Sequence, residues 1–242
     1  FSIGIAITWV ITGLAGRFFF KDDLAGSSMR GVIASYGNNG YLGIPLAVTA
    51  FGAPAMVPAS LSVLINSVFI MTGAVLILEF TRARETGSAV FNIAKVLCTN
   101  PLLLAVATGL VLSLNSAALP VSIERLLNLL GQAAVPSALV AIGLFLAGRP
   151  VVGLLASAAV SSLAKLALFP LVVWLLTLYV FPIEPLWAVV AVLMAGMPVG
   201  ANAFVIAGHY GLRLDDASAA IIVTTAISLV SLSLMIILMT GG

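Results

Sequence analysis

Apolar residues fill most positions of the chain, and the polar ones gather in clusters that cut it into long runs without alternation. A helix needs roughly 20 apolar residues to cross hydrocarbon, because lipid leaves every backbone amide to be satisfied within its own segment. The polar clusters delimit eight such candidates, at about 1–20, 30–51, 57–80, 97–115, 122–147, 151–181, 185–209 and 216–240. A β-barrel would instead show segments of about ten residues with alternating apolar and polar side chains. The pattern therefore predicts an all-α integral membrane protein with eight visible spans.

Two of these spans are interrupted. The second holds "GNNGYLGIP", Gly37 to Pro45, and the seventh holds "GMPVGANAF", Gly196 to Phe204. In a helix interior Gly is roughly 1 kcal/mol and Pro about 3 kcal/mol less favourable than Ala. Gly37, Gly40, Gly43 and Pro45 in one span, and Gly196, Pro198 and Gly200 in the other, thus predict helices that lose their winding within the membrane. Irregular backbone at that depth is tolerated only where it is buried in protein or lines a wet cavity. Small residues and Asn also serve simple helix packing, and a single such span would read that way. Two of them favour a binding site. Asn38, Asn39 and Asn202 stand beside the breaks as donors and acceptors.

The two spans also resemble each other. "ASYGNNGYLGIPLAVTAFG" and "AGMPVGANAFVIAGHYG" share Gly, Asn and Pro near the middle and an aromatic-Gly ending, Phe51-Gly52 and Tyr210-Gly211. They lie five spans apart in order, so they cross in opposite directions, the signature of an inverted repeat with a central site. On this reading 1–80 is the last part of a first repeat with three spans, 81–96 a cytoplasmic linker and 97–242 a second repeat of five spans. Equal repeats would place two more helices ahead of Phe1, in a parent of about ten spans.

Composition sharpens the class. The chain is 62% hydrophobic and 7% charged with a mean hydropathy of +1.25, which excludes a soluble domain. A net charge of +2 gives no reason to expect nucleic acid. The lone Cys98 allows no intrachain disulfide, and Phe1 already lies in an apolar run, unlike a signal peptide. Arg17, Lys21, Arg30, Arg82, Arg84, Lys95, Arg149 and Arg213 fall in alternate connections, against Arg125 alone in the others. The positive-inside rule then puts the loops near 25, 88, 149 and 213 in the cytoplasm and the C-terminus outside. Tyr179 and Trp187 fit an aromatic anchor at the outer face.

Lys165 is the one ionisable residue well within a span. Insertion scales put a central Lys at roughly +2.5 to +3.5 kcal/mol, so it should face protein or water. It either balances the partial negative ends of broken helices and attracts an anion, or snorkels as a structural lysine. All eight carboxylates fall in loops or at span ends, Asp22 and Asp23 in what reads as a solvated turn. A cation or proton carrier would keep an acid at membrane depth, so the charge pattern favours an anionic substrate. Pro136-Ser137 can kink the fifth visible span; Gln132, Ser137 and Asn66 are further polar candidates, and His209 reads as interfacial. No metal-binding, phosphate-loop or protease motif is present, which argues against an enzyme and against any cofactor.

The two interrupted segments are where a family can be named. "GNNGYLGIP" with its "FG" ending, and "MPVGANAFVIAGHYG", resemble the auxin efflux carrier family of secondary transporters, including its bacterial organic-acid members. The resemblance implies ten spans, a scaffold domain, and a transport domain in which the fourth and ninth helices cross. It places Asn38 at the first crossing and Pro198 at the second, with Gly37 where a proline is often found, and a basic residue like Lys165 ahead of Pro170. The short central loop implies a compact prokaryotic carrier in the bacterial inner membrane.

The expected function is transport of a small organic anion, a mono- or dicarboxylate, by alternating access. Asn38, Asn39, Gly40, Asn202, Pro198, Lys165 and Ser137 form the substrate site, and Gly37, Gly43, Pro45, Gly196 and Gly200 the helix breaks. Partners are the anion, the lipid bilayer and a second copy in a homodimer. A cation/proton antiporter on the same architecture, or a non-transporting receptor or assembly subunit, are the alternatives.

Overall fold

The computed structural model describes residues 1–86, 101–115, 118–147 and 158–240. The linker from residue 87 onward, Lys95, Cys98 and Arg149 lie outside them. The described residues are helical apart from short connections, and four helices are long and apolar enough to span a membrane: Ser2–Phe19, Ala53–Thr81, Ala158–Val180 and Leu214–Thr240. The predicted spans at 97–115 and 122–147 correspond to helices Pro101–Leu114 and Val121–Leu146, the second with Pro136 in its interior.

The two interrupted spans are pairs of short helices. Leu24–Ser35 and Ile44–Phe51 make up the first, Pro185–Ala195 and Asn202–Tyr210 the second. Leu24–Ser35 has 12 residues, about 18 Å at 1.5 Å per residue, slightly more than half of a ~30 Å hydrocarbon core. Both second halves end alike, on Gly52 after Phe51 and Gly211 after Tyr210, with φ of 83° and 67°. Left-handed backbone is accessible to glycine without a Cβ penalty, which gives the shared aromatic-Gly endings a physical reason.

The chain divides into two compact units, Phe1–Ile70 with Arg149–Gly242, and Met71–Gly148. The first unit holds both interrupted helices. Within it every residue from Ala25 to Ser35 is buried. Helix Ser2–Phe19 packs along this segment with Trp9 laid against Gly31: a Cβ on Gly31 would come within 2.0 Å of the indole ring. A core of Ala47, Ala55, Ala59, Val190, Leu193, Met194, Met197 and Leu232 fills the space between Ile44–Phe51, Pro185–Ala195 and their neighbours. In the second unit Met71–Thr86 packs on Pro101–Leu114.

At the start of Leu24–Ser35 the structure corrects the sequence reading. Asp22 is not in a solvated turn. Its carboxylate is buried and bridges Arg30, at 3.1 Å, and Arg213. Arg213 also pairs with Asp216 and donates from Nε to the Gly26 carbonyl at 3.0 Å. Arg30, counted above among loop cations, lies inside the helix at 2% exposure, with its guanidinium 4.3 Å from the Phe20 ring. The physical reason is mutual neutralisation: two arginines and two aspartates share one dehydrated site, which none could enter alone. Asp23 has a separate role, accepting from the Gly26 amide at 2.7 Å as the helix N-cap.

Removing one partner of a buried ion pair typically costs about 3–5 kcal/mol, whereas losing an N-cap costs about 1. Asp22→Ala is therefore expected to lower the thermal unfolding midpoint of the detergent-solubilised protein several times more than Asp23→Ala. Equal shifts would mean that the cluster contributes no more than a cap.

Candidate functional site at the paired helix breaks

After Ser35 the chain becomes extended at Tyr36 (φ −76°, ψ 105°) and resumes winding at Asn39. After Ala195 it unwinds through Pro198 and resumes at Asn202. The two breaks meet. Gly37 and Val199 form an antiparallel bridge, flanked by hydrogen bonds from Asn38 N to the Pro198 carbonyl (2.8 Å) and from Gly200 N to the Tyr36 carbonyl (3.0 Å). Each break thus supplies partners that the other would otherwise lack. Approach is close enough to require glycine: a Cβ on Gly200 would lie 3.0 Å from the Gly37 oxygen.

The remaining backbone groups are met by side chains from the neighbouring helices. The Val199 amide donates to Thr224 Oγ1 at 3.0 Å. Asn66 Nδ2 donates to the Gly37 carbonyl at 3.0 Å. Lys165 Nζ donates to the Ala195 carbonyl at 2.5 Å, the last residue of Pro185–Ala195, where the helix dipole places partial negative charge. Its ammonium lies 4.7 Å from the Phe169 ring, and the residue is 0% exposed. Pro198 accepts through its carbonyl and, having no N–H, leaves no donor to satisfy.

Three of these residues sit where the helix widens locally. π-helical turns occupy Asn39–Gly43, Asn66–Ile70 and Ala164–Leu168. Pro170 follows the last of them, and a proline cannot donate to the carbonyl four residues back, which loosens the preceding turn. Asn39 and Lys165 are drawn together beside Gly37: a Cβ there would be 2.3 Å from Asn39 Oδ1 and 3.3 Å from Lys165 Nζ. Asn39 is 2% exposed, and neither atom of its amide has a hydrogen-bond partner among the described residues. Asn66 Oδ1 shares that condition.

Asn38 and Gly40 are half-buried at the first break, and Asn202, exposed, donates to the Tyr36 hydroxyl at 2.8 Å. Gly196 ends the Pro185–Ala195 helix, whereas Gly43 and Pro45 fall in the first turns of the resumed helix, where proline fits the N-terminal positions. The structure thus gathers Gly37, Asn38, Asn39, Pro198, Gly200, Asn202 and Lys165 in one unit. Ser137 belongs to the other unit, exposed on Val121–Leu146. Thr224 and Tyr36 were missed by sequence reasoning. The one signal for Thr224 was the Ser/Thr content of an otherwise apolar helix.

The chain matches, over residues 1–236, the family described as membrane transport protein, the auxin efflux carrier-like group. It belongs to that family. A relative from Rhizobium meliloti (strain 1021), named "Putative malonate transporter", is 32% identical over 243 residues, covering 98% of this chain and 76% of its own. The protein is an integral membrane transporter and not an enzyme.

A buried donor left without its acceptor costs about 1–3 kcal/mol. Thr224→Val, which orphans the Val199 amide, is expected to destabilise the solubilised protein by about that amount, and Thr224→Ser to restore most of it. If Val and Ser variants melt alike, Thr224 does not hold the second break.

Proposed function

We propose that this transporter carries a small organic anion, a mono- or dicarboxylate, and that the bridged breaks are its binding site. The observation that carries the reading is the Gly37–Val199 bridge itself. Two half-helices start from it, at Asn39 and Asn202, and helix N-termini carry partial positive charge suited to a carboxylate. Lys165 brings its amino group, a cation when protonated, to the same place. The buried carboxylates among the unit's described residues, Asp22 and Asp216, are engaged by arginines at the far end of Leu24–Ser35, so neither opposes an anion at the bridge. That favours an anion over a cation or proton as cargo. Malonate, the substrate in the relative's name, is a small dicarboxylate of this class.

On this reading Asn38 and Asn202 meet the anion from the accessible side, and the unpartnered amide of Asn39 completes its hydrogen bonding with the anion or with water. Gly40 and Pro198 leave room for close approach to the backbone. The unit Phe1–Ile70 with Arg149–Gly242 is the transport domain, and Met71–Gly148 is part of the scaffold. The interrupted spans are corresponding members of two inverted repeats, the eight spans belong to a ten-span carrier, and motion of the transport domain exposes the site to each side in turn.

Purified protein in proteoliposomes is expected to take up labelled malonate with saturable kinetics, and malonate to raise its thermal unfolding midpoint in detergent. Hydrogen bonds to a charged ligand are worth about 1.5–3 kcal/mol, so Asn38→Ala, Asn202→Ala and Lys165→Ala should each weaken binding by about ten-fold or more. Stabilisation without uptake would favour the receptor or assembly reading. Neither effect, with malonate or any acid in a panel of mono- and dicarboxylates, would overturn the anion reading.

A further inference from the structure

The unit that holds the bridge contains few buried formal charges among its described residues, and most of them cancel. Asp22 pairs with Arg30 and Arg213, and Arg213 with Asp216. Two positive and two negative groups leave that cluster neutral. Lys165 is different. It is fully buried, its contacts are the Ala195 carbonyl and the Phe169 ring, and no carboxylate among the described residues pairs with it. Among the described residues of the unit, Lys165 is thus the buried basic side chain without an opposite partner, and it lies inside the helix Ala158–Val180, long and apolar enough to span a membrane.

A charge attached to a moving body does electrical work each time the body crosses the field. Over a complete cycle that work cancels, because the charge returns. Its signature lies in the half-cycles, and so does its effect on which species crosses easily.

Building on the carrier reading, we propose that Lys165 works as its ammonium and is a built-in countercharge. The empty site reorients as a monocation, the site loaded with a monoanion reorients as a neutral body, and a bound dianion leaves one net negative charge. An interior-negative potential then draws the empty site toward the cytoplasm, ready to load anions there, while passage of a bound monoanion is insensitive to voltage. The charge also ranks substrates by valence, since only a single negative charge is fully neutralised in transit.

The test is the transient charge that moves when voltage is stepped across a planar bilayer containing the full carrier, with no substrate and then with saturating malonate on both sides. The wild-type protein is expected to move positive charge when empty and to reverse sign with malonate as the dianion. Lys165→Arg should keep the empty-carrier movement, and Lys165→Gln should reduce it by about ten-fold or more. The proposal is overturned if the Gln variant moves as much charge as the wild type. It is equally overturned if the wild type moves none, or shows no sign reversal, while the same preparation takes up malonate. The wild-type comparison stands even if the Gln variant does not fold, and uptake reports separately on the carrier reading.

Discussion

A peptide group without a hydrogen-bond partner is costly in hydrocarbon, and the architecture around Gly37 and Val199 follows from that constraint. Opening a helix at mid-membrane exposes several such groups at once. Here one break is paired with another: Asn38 to Pro198 and Gly200 to Tyr36. What the pairing leaves over is taken by Thr224, Asn66 and Lys165, each from a different neighbouring helix. The result is unwound backbone that is stable in place.

The same economy governs charge. At the start of Leu24–Ser35, four ionised side chains enter a buried site because they neutralise one another. Asp22 comes from the connection before the first interrupted helix and Arg213 from the connection after the second, so the cluster ties the beginning of one to the end of the other. Together with the bridge this fixes the two interrupted helices at two levels. Lys165, by contrast, meets a carbonyl and an aromatic ring, and no carboxylate among the described residues pairs with it.

The packing around these elements depends on small residues. Gly31 admits the Trp9 ring, and Gly200 admits the Gly37 backbone. Each exists because a missing Cβ lets two surfaces approach, the second within the hydrogen-bonded bridge, and small residues of this kind are how helices associate where lipid offers no hydrophobic drive. The π turns at Asn39, Asn66 and Lys165 make the complementary adjustment, re-aiming a side chain by one residue's rotation without ending the helix.

The sequence by itself determined the features that are local. Apolar runs, Gly and Pro positions and the aromatic-Gly endings act within a few residues, so the membrane class, the two interruptions and the isolation of Lys165 in an apolar segment were readable. The same signals singled out Asn38, Asn39, Asn202 and Pro198. Only the tertiary structure decided what those residues meet. Nothing near Asp22 in the chain announces Arg213, 191 positions away, so a buried ion cluster read as a solvated turn and Arg30 as a loop cation. Nothing local to Val199 announces Thr224, or local to Gly31 announces Trp9. Backbone breaks are set by the conformational preferences of single residues, whereas satisfying them depends on which distant groups the fold brings within about 3 Å.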